Sequence, residues 1–404
     1  MKNFHIKPLG LLDMLTFKNM VPKRRKIIDA APAAPLPKTY AVNETAKALH
    51  PARQSLAVEA VVERGPDTKS YVLAPDQSAG TAKLAYFRAG QYISLKLKIG
   101  GSVLTRPYSI SSAPLDALSH NRYMLTVKRA QDGFASGYLL DNLKVGDKIE
   151  ASGPEGTFYY EALRDAAAVV GIAGGSGITP FYAMALAIAD GTEDFNLTVL
   201  YGSRTRENIL LKEEFDKIAG LTDKVRVVHV LSDERADGYE HGFITAELIQ
   251  KYAPDNQAFS VFMCGPQQMY AFVDKEIETL GLPVKYVRHE LFGPVKDPTV
   301  FPDYPAEAMA GHYKIKVKLR DEEREIPANG NEPVLAALER AGINAPSKCR
   351  SGECGWCHSR LISGRTYTPA SMDGRRLADH TFGYIHPCCA FPLSDLELDV
   401  PIEE

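Results

Sequence analysis

The feature that most constrains this chain is a cysteine-rich loop near its carboxyl end. Residues 349–357 read Cys-Arg-Ser-Gly-Glu-Cys-Gly-Trp-Cys, and another cysteine pair, Cys388-Cys389, follows downstream. The Cys-x4-Cys-x2-Cys spacing is typical of the thiolates that hold a [2Fe–2S] cluster. Because three sulfurs must converge from one loop, Gly352 and Gly355 are expected to adopt left-handed backbone conformations. The ligands that this loop predicts are Cys349, Cys354 and Cys357.

The fourth ligand can come from Cys388 or from Cys389. The sequence Cys388-x3-Pro392 resembles the Cys-x3-Pro that ends the cluster site of plant-type ferredoxins, so Cys388 is favoured and Cys389 is expected to be a bystander. A structural zinc site is the main alternative, but such sites usually pair two Cys-x2-Cys knuckles and this sequence has one. Disulfides are less favoured, because nothing marks the chain for secretion.

Length and composition indicate an ordinary multidomain protein. A chain of 404 residues is expected to hold about two to four domains. Its net charge of −3 gives no argument for binding nucleic acid. No apolar run approaches the length of a membrane span, so no transmembrane segment is expected and the cytoplasm is the expected location.

Residues 1–50 form a basic extension that ends in a linker. They contain nine Lys and Arg residues against three Asp and Glu residues, including Lys23-Arg24-Arg25-Lys26. One interpretation is an arm that docks a partner or an anionic surface. The favoured interpretation is a solvated extension, because basic clusters are more often simply solvated.

The remaining chain divides into three domains. Short alternating strands over 51–160 predict an antiparallel β-barrel. Apolar runs that alternate with helical stretches over 161–292 predict a parallel sheet with helices on both faces. Prolines mark 293–311 as a linker. The last domain, 312–404, combines strand-like residues, one helix and the cysteine loop.

A glycine-rich turn follows the first strand of the α/β domain. The strand Val169–Ala173 runs into Gly174-Gly175-Ser176-Gly177-Ile178-Thr179-Pro180. Thr179 is expected to cap the next helix and Pro180 to occupy its first position. Amides at a helix N-terminus hold phosphates, although this loop departs from the Gly-x-Gly-x-x-Gly fingerprint and is weak evidence by itself.

Four separated motifs occur in one order along the chain. These are Arg106-Pro107-Tyr108-Ser109, the glycine-rich turn, Cys264-Gly265-Pro266 and the cysteine loop. In this order the chain resembles the ferredoxin–NAD(P)+ reductase family, in particular its members with a fused C-terminal plant-type ferredoxin. The resemblance covers residues 54–404. It implies a flavin-binding barrel, an NAD(P)-binding α/β domain and an α+β ferredoxin domain of the β-grasp type.

The resemblance also implies roles for individual residues. Arg106 is expected to pair with the flavin pyrophosphate, Tyr108 to pack along the flavin ring, and Ser109 to hydrogen-bond near the flavin N5. Ser109, Cys264 and Glu290 are the residues expected at the hydride-transfer site. The other expected cofactor contacts are Pro107, Val127, Lys128, Gly133, Ala135, Ser136, Gly174, Gly175, Ser176, Gly177, Thr179, Cys264, Gly265 and Phe292.

Each of these residues also has a purely structural interpretation. Arg106 can be a surface charge, Ser136 only a helix cap, and Cys264 a small buried hydrophobe.

The identity of the flavin and of the nucleotide is less constrained. Lys128-Arg129, the turn at Gly133–Ser136 and the Gly-Pro-x-Gly-x-Phe segment at 153–158 favour FAD over FMN. Ser203 and Arg204 lie where the second strand of the nucleotide domain ends. Because that segment has no carboxylate, its arginines suit the 2′-phosphate of NADPH. Relatives with this domain order mostly use NADH, which is slightly favoured.

The favoured function is an NAD(P)H-dependent reductase. It would pass electrons from the nicotinamide through a flavin and the cluster to an electron-acceptor protein, an oxygenase or another metalloenzyme. One alternative is a self-contained enzyme that acts on a small molecule or reduces NAD(P)+ in reverse. The other is a zinc-bearing scaffold without catalytic activity.

Overall fold

The computed structural model describes residues 11–31, 38–65, 67–290, 293, 295 and 297–402. Two units separate along the chain, Met1–Ala46 and Lys47–Glu404. In the described part of the first unit, helix α1 spans Leu11–Asp29, and helix α2, Ala41–Leu49, begins there. The basic side chains Lys23–Lys26 of α1 are exposed. No helix in the described ranges has the length and apolar character needed to cross a bilayer.

The first of the three domains, residues 51–160, is an antiparallel sheet that curls toward closure. Its strands are β1 Gln54–Gly65, β2 Thr68–Pro75, β3 Tyr92–Ile99, β4 Ser102–Ser109, β5 Tyr123–Lys128 and β6 Lys148–Ala151, with helices α3 Pro114–Ser119 and α4 Phe134–Asn142. The strand order is β4-β3-β6-β1-β2-β5. The two edge strands meet just after β4, where Ser111 N–H donates to the Met124 carbonyl at 2.7 Å. This is a partly closed barrel.

Alternation along β3 gives the barrel its two faces. Ile93, Leu95 and Leu97 are buried in the barrel core. Ser94 and Lys96 point the other way and line a cleft shared with residues of the C-terminal domain. Because side chains alternate along a strand, one short strand serves both the barrel core and the contact between domains.

The α/β domain is a six-stranded parallel sheet covered on both faces. Its strands are β7 Ala168–Gly174, β8 Asn196–Ser203, β9 Val225–Leu231, β10 Glu240–His241, β11 Phe259–Cys264 and β12 Val287–Glu290, with helices α5 Thr179–Ala189, α6 Lys212–Ala219, α7 Ala246–Tyr252 and α8 Gln267–Thr279. The strand order is β10-β9-β8-β7-β11-β12. Val169 and Ala173 pack in the core that holds α5 and α6, whereas Val170 and Ile172 pack with α7 and α8.

The strand order places a ligand crevice in this domain. The chain moves from β7 to β8 and β9 in one direction, then returns to place β11 on the opposite side of β7. In open α/β sheets, ligands bind beyond the carboxyl ends of the strands at such a reversal. The two carboxyl ends at this point carry Gly174 and Cys264.

The C-terminal domain is a mixed sheet of the β-grasp type. Its strands are β13 His312–Leu319, β14 Glu322–Asn329, β15 Ser359–Ser363, β16 Thr366–Tyr367, β17 Tyr384–Ile385, β18 Phe391–Pro392 and β19 Leu396–Asp399, with helices α9 Val334–Arg340 and α10 Leu377–Phe382. The main sheet has the order β14-β13-β19-β15-β17, and β13 runs parallel to β19. The cysteine loop connects α9 to β15.

The segment 293–311, predicted as a linker, packs against the C-terminal core where it is described. Val295, Tyr304 and Ala308 are buried in that core. The Tyr304 hydroxyl donates to the Gly330 carbonyl at 3.0 Å. These contacts attach the segment to the C-terminal domain.

Candidate functional site

The cysteine loop wraps its sulfurs with backbone N–H groups. Gly352 and Gly355 have φ angles of 81° and 70°, as expected for a loop that must turn back on itself. The Gly352 N–H donates to Cys388 Sγ at 3.3 Å, and the Cys354 N–H donates to Cys349 Sγ at 3.4 Å. N–H groups aimed at thiolates stabilise their negative charge and tune a bound cluster.

The surroundings of Cys388 and Cys389 differ in a way that favours Cys388 as the fourth ligand. Cys388 Sγ accepts a backbone N–H, which suits a thiolate. Cys389 Sγ instead lies 3.5 Å from the carbonyl oxygens of Met372 and His386, where a protonated thiol donates. These carbonyl neighbours suit a protonated thiol and support the prediction that Cys389 is a bystander.

The predicted donor set is four cysteine sulfurs, which is the set that a plant-type [2Fe–2S] cluster uses. The backbone N–H groups that point at Cys349 and Cys388 also suit a bound cluster. Of the four predicted ligands, Cys354 is exposed and the other three are buried.

Strand β4 presents the predicted flavin residues at the barrel edge. Ser109 pairs with Tyr92 of β3, and its buried Oγ has no hydrogen-bond partner in the described part of the chain. A buried hydroxyl left unpaired is costly, so this atom fits a cofactor contact. Tyr108 packs against the barrel core, with Pro107 buried before it and Val127 of β5 buried in the same core.

Arg106 makes a contact that the sequence did not predict. Its Nη1 donates to the Thr105 carbonyl at 2.9 Å and to Glu339 Oε1 of α9 at 3.3 Å. Arg106 is therefore not a free surface charge. A guanidinium has five N–H donors, so this pairing leaves donors for a flavin pyrophosphate.

The turn before α4 shows that Ser136 does not cap that helix. Gly133 is the N-cap residue of α4, so Ser136 lies inside the first turn. The Ser136 hydroxyl accepts the Ala130 N–H at 3.0 Å and donates to the Gly133 carbonyl at 3.2 Å. A Cβ on Gly133 would lie 2.4 Å from that hydroxyl, so this position needs glycine. Ala135 is buried, and Lys128 ends β5 half-buried nearby.

The glycine-rich turn lies directly against the end of β11. A Cβ on Gly177 would lie 2.1 Å from the Cys264 carbonyl oxygen, and one on Gly174 would lie 2.8 Å from Pro266 Cδ. Gly175 has a φ of 53° and its carbonyl accepts the Tyr201 hydroxyl at 2.9 Å. These positions form a cradle without side chains, which suits the close approach of a dinucleotide.

The expected cap of α5 is corrected in the same turn. Residues Gly175–Ile178 form a short 3₁₀ turn, and Ile178, not Thr179, precedes the helix. Thr179 begins α5, and its hydroxyl donates to the Ser176 carbonyl at 3.0 Å.

Cys264 and Glu290 are brought side by side by strand pairing. They are register partners between β11 and β12, and both are buried. Burial raises the pKa of the Glu290 carboxyl and of the Cys264 thiol well above their usual values. The Tyr270 hydroxyl donates to the Glu290 carbonyl at 2.5 Å and accepts the Gly265 N–H at 3.2 Å. Phe292 lies outside the described residues.

Tyr92 is a site residue that the sequence reading missed. It is the first residue of β3, and its N–H donates to the Glu155 carbonyl at 3.0 Å. A Cβ on Gly156 would lie 2.9 Å from the Tyr92 ring and 3.7 Å from Glu290 Oε2. Gly156 therefore lies close to both the Tyr92 ring and the Glu290 carboxyl. The available signal in the sequence was an aromatic residue at the start of a strand, shortly after Gly90.

Carboxylates accompany the arginines after β8. Arg206 donates from its backbone N–H to Glu234 at 2.9 Å and from its side chain at 2.5 Å. Arg204, whose side chain is 82% exposed, lies 3.9 Å from Asp233. The sequence predicted no carboxylate here because only the end of β8 was taken into account. Asp233 and Glu234 come from the neighbouring segment that follows β9. Arg206 and its neighbours line a cavity of 540 Å³.

The buried carboxyl predicts a pH-dependent stability. Because the folded pKa of Glu290 is raised from 4.5, folding prefers the protonated form, and stability falls as pH rises above about 4.5. Glu290→Gln should therefore raise the thermal midpoint relative to the parent chain more at pH 8 than at pH 5. Thermal denaturation at the two pH values measures this. The prediction is contradicted if Glu290→Gln changes the thermal midpoint equally at the two pH values, or if it lowers the midpoint at pH 8 only.

Three family profiles match the chain in the order of its domains. The oxidoreductase FAD-binding domain matches residues 55–160, the oxidoreductase NAD-binding domain matches 172–275, and the 2Fe-2S iron-sulfur cluster binding domain matches 317–393. The fold and these sites define an NAD(P)H-dependent flavin and iron–sulfur oxidoreductase, which carries electrons from a nicotinamide through FAD to a [2Fe–2S] cluster.

Relatives match across nearly their whole length. The chain is 30% identical over 349 residues to the 3-ketosteroid-9-alpha-monooxygenase ferredoxin reductase component of Rhodococcus rhodochrous, covering 84% of this chain and 94% of that protein. It is 26% identical to the glycine betaine monooxygenase reductase subunit of Chromohalobacter salexigens, covering 86% and 95%. The structure of phthalate dioxygenase reductase matches with a TM-score of 0.61 and 25% identity, covering 87% and 98%. The chain belongs to the ferredoxin–NAD(P)+ reductase family, in the branch with a fused C-terminal [2Fe–2S] ferredoxin domain.

Proposed function

We propose that this chain is the reductase component of an oxygenase system and delivers single electrons to an oxygenase protein in the cytoplasm. The observation that carries this proposal is the exposed edge of the cluster loop. Cys354 is exposed while the other predicted ligands are buried, and the neighbouring Trp356 is 46% exposed. A protein acceptor can approach the cluster on that side. The relatives named above are reductases of monooxygenases and of a dioxygenase.

The acceptor is tested by comparing oxygenase proteins with small molecules. NADH consumption under air should be slow with the purified chain alone, and should rise when the cognate oxygenase component and its substrate are added together. Rapid turnover with a small organic acceptor and no added protein would instead support the self-contained enzyme.

The proposed hydride-transfer residues act by position and protonation. When bound, FAD and the cluster supply the chemistry that converts a two-electron donor into single electrons. Ser109 offers a buried hydroxyl without another partner. Burial favours the neutral forms of Cys264 and Glu290, so they add no negative charge beside the nicotinamide and help to exclude water. No residue is required as a strong base, because hydride transfer moves no separate proton.

The metal ligands in this proposal are Cys349, Cys354, Cys357 and Cys388. The flavin is assigned to β4, β5 and the α4 turn. The nucleotide is assigned to the cradle at Gly174–Thr179 and to Cys264-Gly265.

NADH is the proposed electron donor. Glu234 occupies Arg206 with two hydrogen bonds, so a 2′-phosphate would have to displace a carboxylate or lie beside it. Like charges at close range disfavour binding. Asp233 and Glu234 can instead accept hydrogen bonds from the ribose hydroxyl of NADH.

Glu234→Gln should weaken this preference. With Arg206 released, kcat/KM for NADPH relative to NADH should rise roughly tenfold, equivalent to about 1.4 kcal/mol. Glu213→Gln, an exposed acid on α6, is the matched control and should leave the ratio unchanged. An unchanged ratio in Glu234→Gln, or a parent chain that prefers NADPH, contradicts the assignment.

If a segment of this chain docks the electron acceptor, we propose that it is the basic extension, residues 1–50. Lys23–Lys26 present four exposed cations on α1, and such charges steer association in a salt-dependent way. Removal of residues 1–50 should then raise the KM for the oxygenase component at low salt without changing the rate of flavin reduction by NADH.

A further inference from the structure

The ligand Cys349 lies between two cations that anchor the cluster loop to other parts of the molecule. On one side, Lys348 forms an ion pair with Glu155 of the barrel. On the other side, Arg350 has a fully buried side chain and donates from Nη1 to Glu339 Oε1 at 2.5 Å. Charged side chains are rarely buried unless they are paired. Both neighbours of one cluster ligand are therefore fixed by ionic contacts.

Glu339 bridges two domains with a single carboxylate. It lies on α9 of the ferredoxin domain and pairs with Arg350 of the cluster loop. It also accepts from Arg106 of β4, in the flavin barrel, at 3.3 Å. The side chains of Arg106, Glu339 and Arg350 are all largely buried, with exposures of 19%, 8% and 0%. An ion pair held away from water at a domain boundary fixes the relative position of the groups that it joins.

The charge balance of this trio makes Glu339 difficult to replace. Two guanidinium groups share one carboxylate, so its removal would leave two buried cations facing each other. Burial, and next the nearby Arg350 charge, lower the Arg106 pKa to about 10, while Glu339 opposes that change. Within the described part of the chain, Nε and Nη2 of Arg350 have no hydrogen-bond partner. No second acceptor is therefore in place to compensate for a lost Glu339.

We propose that Glu339 is a positioning residue for electron transfer between the flavin and the cluster. By joining Arg106 of the barrel to Arg350 of the cluster loop, it holds Cys349 against the flavin domain. The Lys348–Glu155 pair supplies the second point of attachment, on a segment whose backbone is paired with Tyr92. This inference rests on the proposed flavin-to-cluster path. It assigns no role to Glu339 in the transfer of hydride from NADH.

The test compares Glu339→Gln with the parent in the full-length, cofactor-loaded chain. Anaerobic stopped-flow mixing with NADH should show flavin reduction within about twofold of the parent. Cluster reduction, followed by its own absorption and by the electron spin resonance signal, should be slowed roughly tenfold, because the rate of electron transfer depends on the distance and orientation at which the protein holds the two centres. Glu339→Asp, which keeps the charge, should recover part of the lost rate.

Glu332→Gln is the matched control. Glu332 precedes α9 and pairs with Arg340 inside the same domain, so its loss should leave both reduction steps unchanged. Amide hydrogen exchange without NADH gives an independent readout. Exchange in Ser102–Ser109 and Val334–Arg340 should rise in Glu339→Gln and not in Glu332→Gln.

Two results would overturn the proposal. One is unchanged cluster reduction in Glu339→Gln, whatever the exchange shows. The other is loss of iron or flavin from Glu339→Gln with Glu332→Gln intact, since that outcome would make Glu339 a residue of cofactor assembly. If NADH does not reduce the flavin of the parent chain, the proposed function is refuted instead. The parent measurement comes before any variant is compared, so the two failures can be told apart.

Discussion

Cys388→Ser is expected to abolish cluster-dependent electron transfer while NADH still reduces the flavin. The substitution removes a thiolate that accepts the Gly352 N–H in the cluster loop. NADH-driven reduction of cytochrome c, a one-electron protein acceptor, should fall by roughly 100-fold or more, because a [2Fe–2S] cluster requires all four ligands. Ferricyanide, which can take electrons from the flavin, should still be reduced. Iron analysis and the visible spectrum report the loss of the cluster.

The adjacent cysteine provides the control for that experiment. Cys389→Ser should retain iron and cytochrome c reduction, because Cys389 Sγ faces the carbonyls of Met372 and His386 and a serine hydroxyl can donate to the same acceptors. The reverse pattern, with Cys389 essential and Cys388 dispensable, would show that the fourth ligand was misassigned. Loss of flavin reduction in Cys388→Ser would contradict the separation of the two redox sites.

Gly177→Ala is expected to block the nicotinamide site with a single methyl group. The added Cβ would lie 2.1 Å from the carbonyl oxygen of Cys264, and because that neighbour is backbone, the turn itself must move. A misplacement of about 1 Å can cost roughly 100-fold in rate, so flavin reduction by NADH should slow by that order. Reduction of the same flavin by dithionite should be unaffected, since it does not use the cradle.

Gly101→Ala is the control for this substitution. A Cβ at Gly101 meets no atom within 4 Å, so NADH should reduce the flavin of this variant at the parent rate. If Gly177→Ala also kept the parent rate, the cradle would not be where the nicotinamide binds. Flavin content must equal that of the parent for either comparison to apply.

The three domain architectures were predictable because each has a local signature. Alternation over 51–160 and apolar runs between helical stretches over 161–292 indicated the sheet type of the first two domains, and the predicted fold class is confirmed. The apolar run at 284–287 predicts a strand, and that prediction is wrong: Val284–Tyr286 is a 3₁₀ turn and β12 spans Val287–Glu290. A short apolar run does not show where strand pairing begins, because pairing with β11 sets that register.

The site was predictable as far as motifs reached. The cysteine loop, the Ser109 strand and the glycine-rich turn lie in the C-terminal, barrel and α/β domains as the sequence indicated, and their cofactor roles stay predictions. The sequence did not show that Glu339 and Glu155 meet Arg106 and Lys348, because contacts between residues so distant in the chain depend on domain packing. It also missed Asp233 and Glu234, which follow β9, the strand beside β8. The N-cap residues of α5 and α4 are Ile178 and Gly133 rather than Thr179 and Ser136, because sequence propensity does not resolve the residue at which a helix begins.

The central claim is that this polypeptide links a hydride donor to a one-electron centre through a flavin held in a separate domain. Its most direct test is the anaerobic absorption spectrum of the purified, full-length chain before and after one equivalent of NADH. Bleaching of the flavin bands followed by partial bleaching of the iron–sulfur bands is the predicted result. A chain purified from iron-replete cells that contains no iron, or one whose spectrum NADH and NADPH leave unchanged, would contradict the account.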